Sequence, residues 1–267
     1  MKKKFLFYLL IAFLFLIQAC STVPISGRSQ LNLIPAESML SMSFQQYDQF
    51  LKENKLSANA AETERVKRVG KNIENAVTMY FAQRGMSNHL KDYKWEYNLV
   101  ESKEINAWCM PGGKVVVYSG ILPITQDDTG LAVVMGHEIA HAVAQHGNER
   151  MSQQLVAQLG GMALATALAT KPAQTQELWM AVFGAGASVG ILLPYSRLQE
   201  NEADELGLTF MAMAGYDPRK AVEFWERMSK AKSGQAPPEF LSTHPSDQTR
   251  INKIKSLIPK VMPNYKG

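Results

Sequence analysis

Two histidines four residues apart, His137 and His141, stand with Glu138 beside the first inside the apolar run VVMGHEIAHAVAQHG. On an α-helix, positions i and i+4 differ by about 40° around the axis and about 6 Å along it, so both imidazoles project from one face and can share an ion. Glu138 lies roughly 100° further round, off the metal axis but within reach of a water at the metal. Neutral imidazoles suit zinc, and a catalytic zinc takes three protein ligands. The competing reading is a set of polar residues on an amphipathic helix. It fits poorly, because Val134, Met135, Ile139, Ala140 and Val143 make the surroundings apolar, and burying these groups without partners is costly.

A third ligand has to come from elsewhere in the chain. The metzincin spacing would place a glycine three and a histidine six residues after His141; Ala144 and Gly147 stand there instead. His146 points to about the opposite side of the same helix, and it reads as a helix cap or a local packing residue. The segment PYSRLQENEADELGL offers Glu200 and Asp204 on one helical face. Glu200 can complete the ligand set, and Asp204 can accept the second ring N–H of a ligand histidine and fix its tautomer. Glu200, Glu202, Asp204 and Glu205 equally fit a solvated acidic face, and spacing alone leaves both readings open.

His-Glu-Ile-Ala-His at 137–141, followed by Ser196-Arg197-x-x-Glu200-x-x-Ala203-Asp204, resembles the gluzincin zinc-metallopeptidase family that contains HtpX and the CAAX prenyl proteases, in particular its short periplasmic lipoprotein members. The likeness extends to Pro24-x-x-Gly27-Arg28, to Asn106-Ala107 with Pro111-Gly112-Gly113, and to Thr243-His244-Pro245, and so covers nearly the whole mature chain. The resemblance implies one zinc ion per chain, held by His137, His141 and Glu200, with Glu138 as general base. It places His244 near the metal, as an oxyanion donor or as a latch on the open zinc position; the alternative for His244 is a loop residue that starts the last helix. It implies a substrate-backbone contact for Asn106. Arg197 reads as a structural ion-pair partner. Cys109 departs from the family's apolar residue before the Pro-Gly-Gly turn, without a catalytic consequence.

The elements that position these residues are legible in outline. Helices are predicted over 35–55 and 60–84, the latter with Val66, Val69, Ile73, Val77 and Phe81 at spacings of three and four. Segments 93–100 and 114–118 read as strands, with turn chemistry at Pro111-Gly112-Gly113. From Asp128, a candidate N-cap, nearly everything reads as helix: 129–146, then from Pro194 to Gly215, from Asp217-Pro218 to Ala231, and after Ser246. The apolar, Gly- and Ala-rich stretches 155–169 and 178–193 are expected as buried helices, the second being short for a membrane span. The fold class is α+β, mainly α-helical, a gluzincin-type domain with a small antiparallel sheet packed on the active-site helix.

The N-terminus places Lys2, Lys3 and Lys4 before the uncharged run Phe5–Ile17 and then Ile-Gln-Ala-Cys, a lipobox-like sequence. This predicts a signal peptide over 1–19, lipidation at Cys20, a tether over 20–35 and a single metallopeptidase domain over 36–267; an ordinary signal peptide or a short anchor is the alternative. Ser21 after the cysteine suggests the periplasmic face of the outer membrane. The formal charge of +4 falls to +1 once three lysines leave with residues 1–19, which gives no electrostatic case for nucleic acid. With Cys20 lipidated, Cys109 has no partner and no internal disulfide is expected. The expected function is a lipid-anchored zinc endopeptidase of the bacterial cell envelope that acts on unfolded or misassembled membrane proteins. The alternative is a chaperone-like assembly factor for outer-membrane proteins with a latched site. A membrane-embedded processing enzyme would need more long apolar segments.

Overall fold

A computed structural model describes residues 20–23, 26–188, 193–231, 239–245 and 247–267; the expected signal peptide, Pro24, Ser246 and the side chains of Cys20 and Pro194 lie outside them. In chain order, β1 (Cys20–Thr22) and β2 (Ser29–Leu31) precede two helices, α1 (Ala36–Glu53) and α2 (Ala60–Ala82). Three strands follow: β3 (Glu96–Val100), β4 (Ala107–Met110) and β5 (Lys114–Tyr118). The rest is helical, with α3 (Leu122–Thr125), α4 (Asp128–Val143), α5 (His146–Leu168), α6 (Ala173–Ala187), α7 (Leu193–Met213), α8 (Lys220–Ala231), α9 (Glu239–Thr243) and α10 (Gln248–Val261). The chain divides into two compact units, residues 1–39 with 145–199 and residues 40–144 with 200–267. All three boundaries fall inside the stretch 36–267.

The larger unit is built around α4. Its N-cap is Asp127, one residue before the expected Asp128, with Oδ1 accepting from the Gly130 N–H at 2.8 Å. Every residue from Gly130 to Val143 is buried. On one side α2 supplies Val66, Val69, Ile73, Val77 and Phe81, all fully buried as their periodicity predicts. On the other, α8 supplies Ala221, Phe224, Trp225 and Met228. At the C-terminal end, the His89 ring bonds the Val143 carbonyl at 2.6 Å and the Tyr93 hydroxyl donates to that of Ala142 at 3.2 Å, so carbonyls the helix cannot pair internally are satisfied. The helix ends before residue 146, where the sequence places it, because Gln145 takes a left-handed φ of 59°.

The sheet has the order β3-β5-β4. Its β4–β5 pair is antiparallel as expected, but β3 and β5 run parallel. The hairpin turn at Gly112 and Gly113, with φ of 85° and 84°, folds β5 back between the other two strands. Both glycines hold left-handed backbone that a side chain would strain, and a Cβ at Gly113 would stand 2.5 Å from the Trp95 ring. The strand β5 is buried along its length and paired on both sides.

In the smaller unit, residues 20–35 form more than a tether. Strands β1 and β2 pair antiparallel, and β2 packs on α5. Arg28 donates to both carboxylate oxygens of the fully buried Glu149, at 2.6 and 2.8 Å, and Gln199 donates to the same carboxylate at 2.8 Å. Asn148 donates to the Ile34 carbonyl, and the Leu33 N–H to the Ser152 hydroxyl. The stretches 155–169 and 178–193 form helix over 155–168 and 178–187, with 189–192 outside the described residues, but α6 buries none of its residues. The expectation of buried helices is corrected there.

Candidate metal centre

The central geometry follows from how closely two helices approach. A Cβ at Gly136 of α4 would stand 3.0 Å from the Gly207 carbonyl of α7, and one at Gly207 would stand 2.9 Å from the His137 nitrogen. Backbone against backbone brings Glu200 and Asp204, two turns and one turn before Gly207, level with the histidines of α4. The acidic segment therefore has a buried face: Asp204 is 4% exposed, and it was this face that spacing alone could not assign.

His137 and His141 project together as the i, i+4 spacing requires, with Nε2 atoms 3.1 Å apart. The Glu200 carboxylate closes the triangle, Oε1 at 3.1 Å from His141 Nε2 and Oε2 at 3.3 Å from His137 Nε2. His244, just past α9, adds a fourth donor. Its Nδ1 lies 3.1 Å from His137 Nε2 and 3.0 Å from each Glu200 oxygen. The four residues offer donor atoms that all lie within 4.8 Å of one another. A tetrahedron with bonds of about 2.0 Å has edges of about 3.3 Å, so the spacing and the N/O chemistry of this set fit zinc. Three carboxylates (Glu138, Glu200 and Asp204) against the single guanidinium of Arg250 leave an excess of negative charge when ionised, which a divalent cation balances.

Around the donors the remaining contacts fix orientation. His137 Nδ1 faces Asp204 Oδ1 at 3.1 Å, which leaves Nε2 turned to the other donors. Arg250, at the start of α10, grips Asp204 with Nη2 at 2.7 Å and Nε at 3.0 Å, reaches Glu200 at 3.3 Å, and stacks 3.5 Å above the Trp225 ring. Glu138 is buried, with its Oε1 3.5 Å from His244 Nε2. His146 opens α5 and is fully buried, but it is not among the converging donors.

Arg250 was not singled out from the sequence. Its only signal is position: Asp247 accepts from the Arg250 N–H at 2.8 Å as the N-cap of α10, which sets Arg250 in the first turn, six residues after His244. Nothing in that spacing shows that the side chain is buried.

The electrostatics are those of a site short of positive charge. Burial lowers the His137 pKa, but hydrogen bonds to Asp204 and Glu200 outweigh it and carry the pKa up to about 9. Without an ion His137 is therefore protonated at neutral pH, and metal binding releases that proton, so affinity rises with pH. Burial would raise Glu200, yet the charge of His141 and the bonds from the three imidazoles hold it well below the usual carboxylate range. Burial likewise pushes Asp204 up, while Arg250 and His137 bring it below its ordinary value. Burial, and then the Glu138 charge, push the Cys109 thiol well above its ordinary value, so it is no nucleophile at neutral pH.

Asn106 enters β4. Its Oδ1 accepts from the Ala107 N–H at 2.9 Å and its carbonyl from the Tyr118 N–H at 3.1 Å. The N–H of Phe240 in α9 donates to the neighbouring Ile105 carbonyl at 3.2 Å, which ties the segment carrying His244 to the strand entry.

Residues 62–258 match the description Peptidase family M48. Among curated proteins, the chain is 35% identical over 256 residues to the mitochondrial metalloendopeptidase OMA1 of Schizosaccharomyces pombe, covering 89% of this chain and 66% of that protein. It is 32% identical over 244 residues to the mitochondrial metalloendopeptidase OMA1 of Homo sapiens, covering 90% of this chain and 46% of that one. It is also 30% identical over 198 residues to the beta-barrel assembly-enhancing protease of Escherichia coli, covering 70% and 40%. The chain thus spans about two thirds of the yeast protein and under half of the other two. These relatives overturn the expected location at the periplasmic face of a bacterial outer membrane, since OMA1 proteins named as mitochondrial recur from yeast to human. The reason is physical: a basic head before an apolar run directs a chain toward a membrane without specifying which one.

Proposed function

The chain belongs to peptidase family M48, and on that footing we propose that it is a zinc-dependent endopeptidase that removes unfolded or misassembled membrane proteins. The observation that carries this reading is the convergence of His137, His141, Glu200 and His244 donor atoms beside the buried Glu138. A bound zinc supplies a Lewis acid and lowers the pKa of water toward ~7.

The chain's own residues supply the rest. Asp204 holds the His137 ring with Nε2 toward the donors, and Arg250 keeps Asp204 ionised and in place. Glu138 takes a proton from the attacking water and passes it to the leaving amine. His244 serves in two positions. Its Nδ1, 3.0 Å from each Glu200 oxygen, would join His137, His141 and Glu200 in holding the metal as a latch, and with substrate present the imidazole would instead donate to the developing oxyanion.

Substrate recognition falls on an edge strand. The central strand β5, Lys114–Tyr118, has a partner on each side and offers no free edge. The sheet instead ends at β4, and we assign substrate pairing to Ala107–Met110, with the Asn106 side-chain amide donating to a substrate carbonyl. Main-chain pairing of this kind makes little demand on sequence and selects extended, unfolded segments. The name of the Escherichia coli relative, which refers to beta-barrel assembly, supports protein assembly as the setting.

Glu138→Gln tests the reading. The variant is expected to retain one zinc per chain by elemental analysis and to lose about 10²–10⁴-fold in cleavage of unfolded casein, the usual worth of a general acid–base. Undiminished proteolysis by a zinc-loaded Glu138→Gln protein refutes the assignment.

A further inference from the structure

The helical hairpin of the smaller unit, α5 with α6, carries large apolar side chains on its outside. At 100° per residue, Met151, Leu155, Leu159 and Met162 fall within about 80° of one another on α5. All four are exposed, Met162 by 67%. On α6, Leu178, Trp179 and Val182 span about 100° and are exposed by 62%, 52% and 53%. The helices meet instead through small residues and one ring: a Cβ at Gly160 would stand 3.0 Å from Phe183. Along this seam runs an open groove of about 400 Å³ lined only by Val156, Ala157, Gly160, Phe183, Gly186 and Ala187. Charge is nearly absent. From Met151 to Ser188 the sequence has only Lys171, in the turn between the helices, and Glu177. A pair of helices with this surface needs an apolar medium to meet it.

The rest of the same unit says which medium. The uncharged run Phe5–Ile17 leads into β1 at Cys20, β1 pairs with β2, and β2 packs on α5. Where that run is retained as an anchor, or exchanged for a lipid on Cys20, the attachment enters the unit that bears the hairpin. Among the described residues no helix is long and apolar enough to cross a membrane. A contact with a second copy calls for a polar rim around an apolar centre, and a surface with two charges in 38 residues does not provide one.

We propose that the α5–α6 hairpin lies in the interfacial layer of a lipid bilayer, with Leu155, Leu159, Met162, Leu178 and Val182 toward the acyl chains, Trp179 at the boundary and Lys171 among the headgroups. The hairpin is then a second membrane contact, separate from the N-terminal one. It holds the protein at the surface by side chains rather than by a span.

The test uses the full-length chain reconstituted into phosphatidylcholine vesicles with brominated acyl chains, and reads tryptophan fluorescence. Bromine quenches only rings near the acyl region, and Trp179→Phe is expected to remove the quenched component, leaving Trp95, Trp108 and Trp225 unaffected. Leu159→Glu with Val182→Glu is expected to weaken the quenching of Trp179 by about tenfold or more, because charge is costly in an apolar layer. Circular dichroism checks that the helices persist; if the double variant unfolds, Met162→Gln gives the same reading more mildly. A chain that is bound to vesicles while Trp179 stays unquenched overturns the proposal, because only the N-terminal segment then inserts. So does a Trp179 already shielded without lipid in a dimer seen by sedimentation. Quenching reads the hairpin alone and is indifferent to occupancy of the metal centre.

Discussion

Helices α4 and α6 are nearly the same length, 16 and 15 residues, and both are rich in alanine, glycine and larger apolar residues. One is buried from Gly130 to Val143 and the other buries nothing. Apolar content therefore decides that a segment leaves water, but not what it leaves water for. What separates the two is their polar residues. In α4, His137, Glu138 and His141 are buried beside groups of matching charge, an arrangement that makes sense only in a protein interior, where unpartnered polar groups are expensive. Helix α6 has only Glu177 and a few neutral polar residues, none of them buried, so nothing in it calls for a protein partner.

The largest effect on this contrast is expected from Arg250→Met. The change leaves Asp204, 3% exposed at its side chain, with His137 as its remaining cationic neighbour next to α4. Breaking one half of a buried pair costs about 3–5 kcal/mol. Chemical denaturation of the metal-free protein reads that loss, and a variant of unchanged midpoint would show that the guanidinium is a bystander. Next comes Ile139→Ala in the fully buried wall of α4, expected to cost about 2–5 kcal/mol by transfer and cavity together. Thermal unfolding without metal measures it apart from the site chemistry.

Some of this was legible in the sequence for reasons that can be named. Val66, Val69, Ile73, Val77 and Phe81 declare the buried face of α2 because periodicity and burial coincide there. His137 and His141 declare a shared face because helix geometry is fixed. The pairing of β3 with β5 was not legible, because strand patterning does not encode direction. Nor was the role of Glu200, which spacing left balanced against a solvated face until the Gly136–Gly207 contact brought α7 onto α4. A long-range approach between two glycines leaves no local trace. Arg250 was missed for the same reason, since its partners Asp204 and Trp225 lie far away in sequence. The exposed surface of α5 and α6 was misread because a small-residue helix has the same composition whether protein or lipid covers it.

A smaller effect is expected from Asp204→Asn. The amide keeps the shape but no longer favours the Nδ1–H tautomer of His137, and loss of such a partner lowers metal affinity by about 10–100-fold. Competition with a zinc chelator measures this, and unchanged affinity would mean that His137 is oriented by packing alone.

The smallest effect should come from the other side of the comparison. Leu159→Ala removes a large side chain from α5 that is 55% exposed and has no cavity to leave behind. Away from buried features, such changes stay within about 0.5 kcal/mol. Measured in detergent-free buffer on the same scale as Ile139→Ala, it isolates what burial contributes, because both substitutions delete a branched four-carbon side chain to alanine on a helix. Should Leu159→Ala destabilise as much as Ile139→Ala, the outer face of the hairpin is packed against protein after all, and the difference drawn between the two regions disappears.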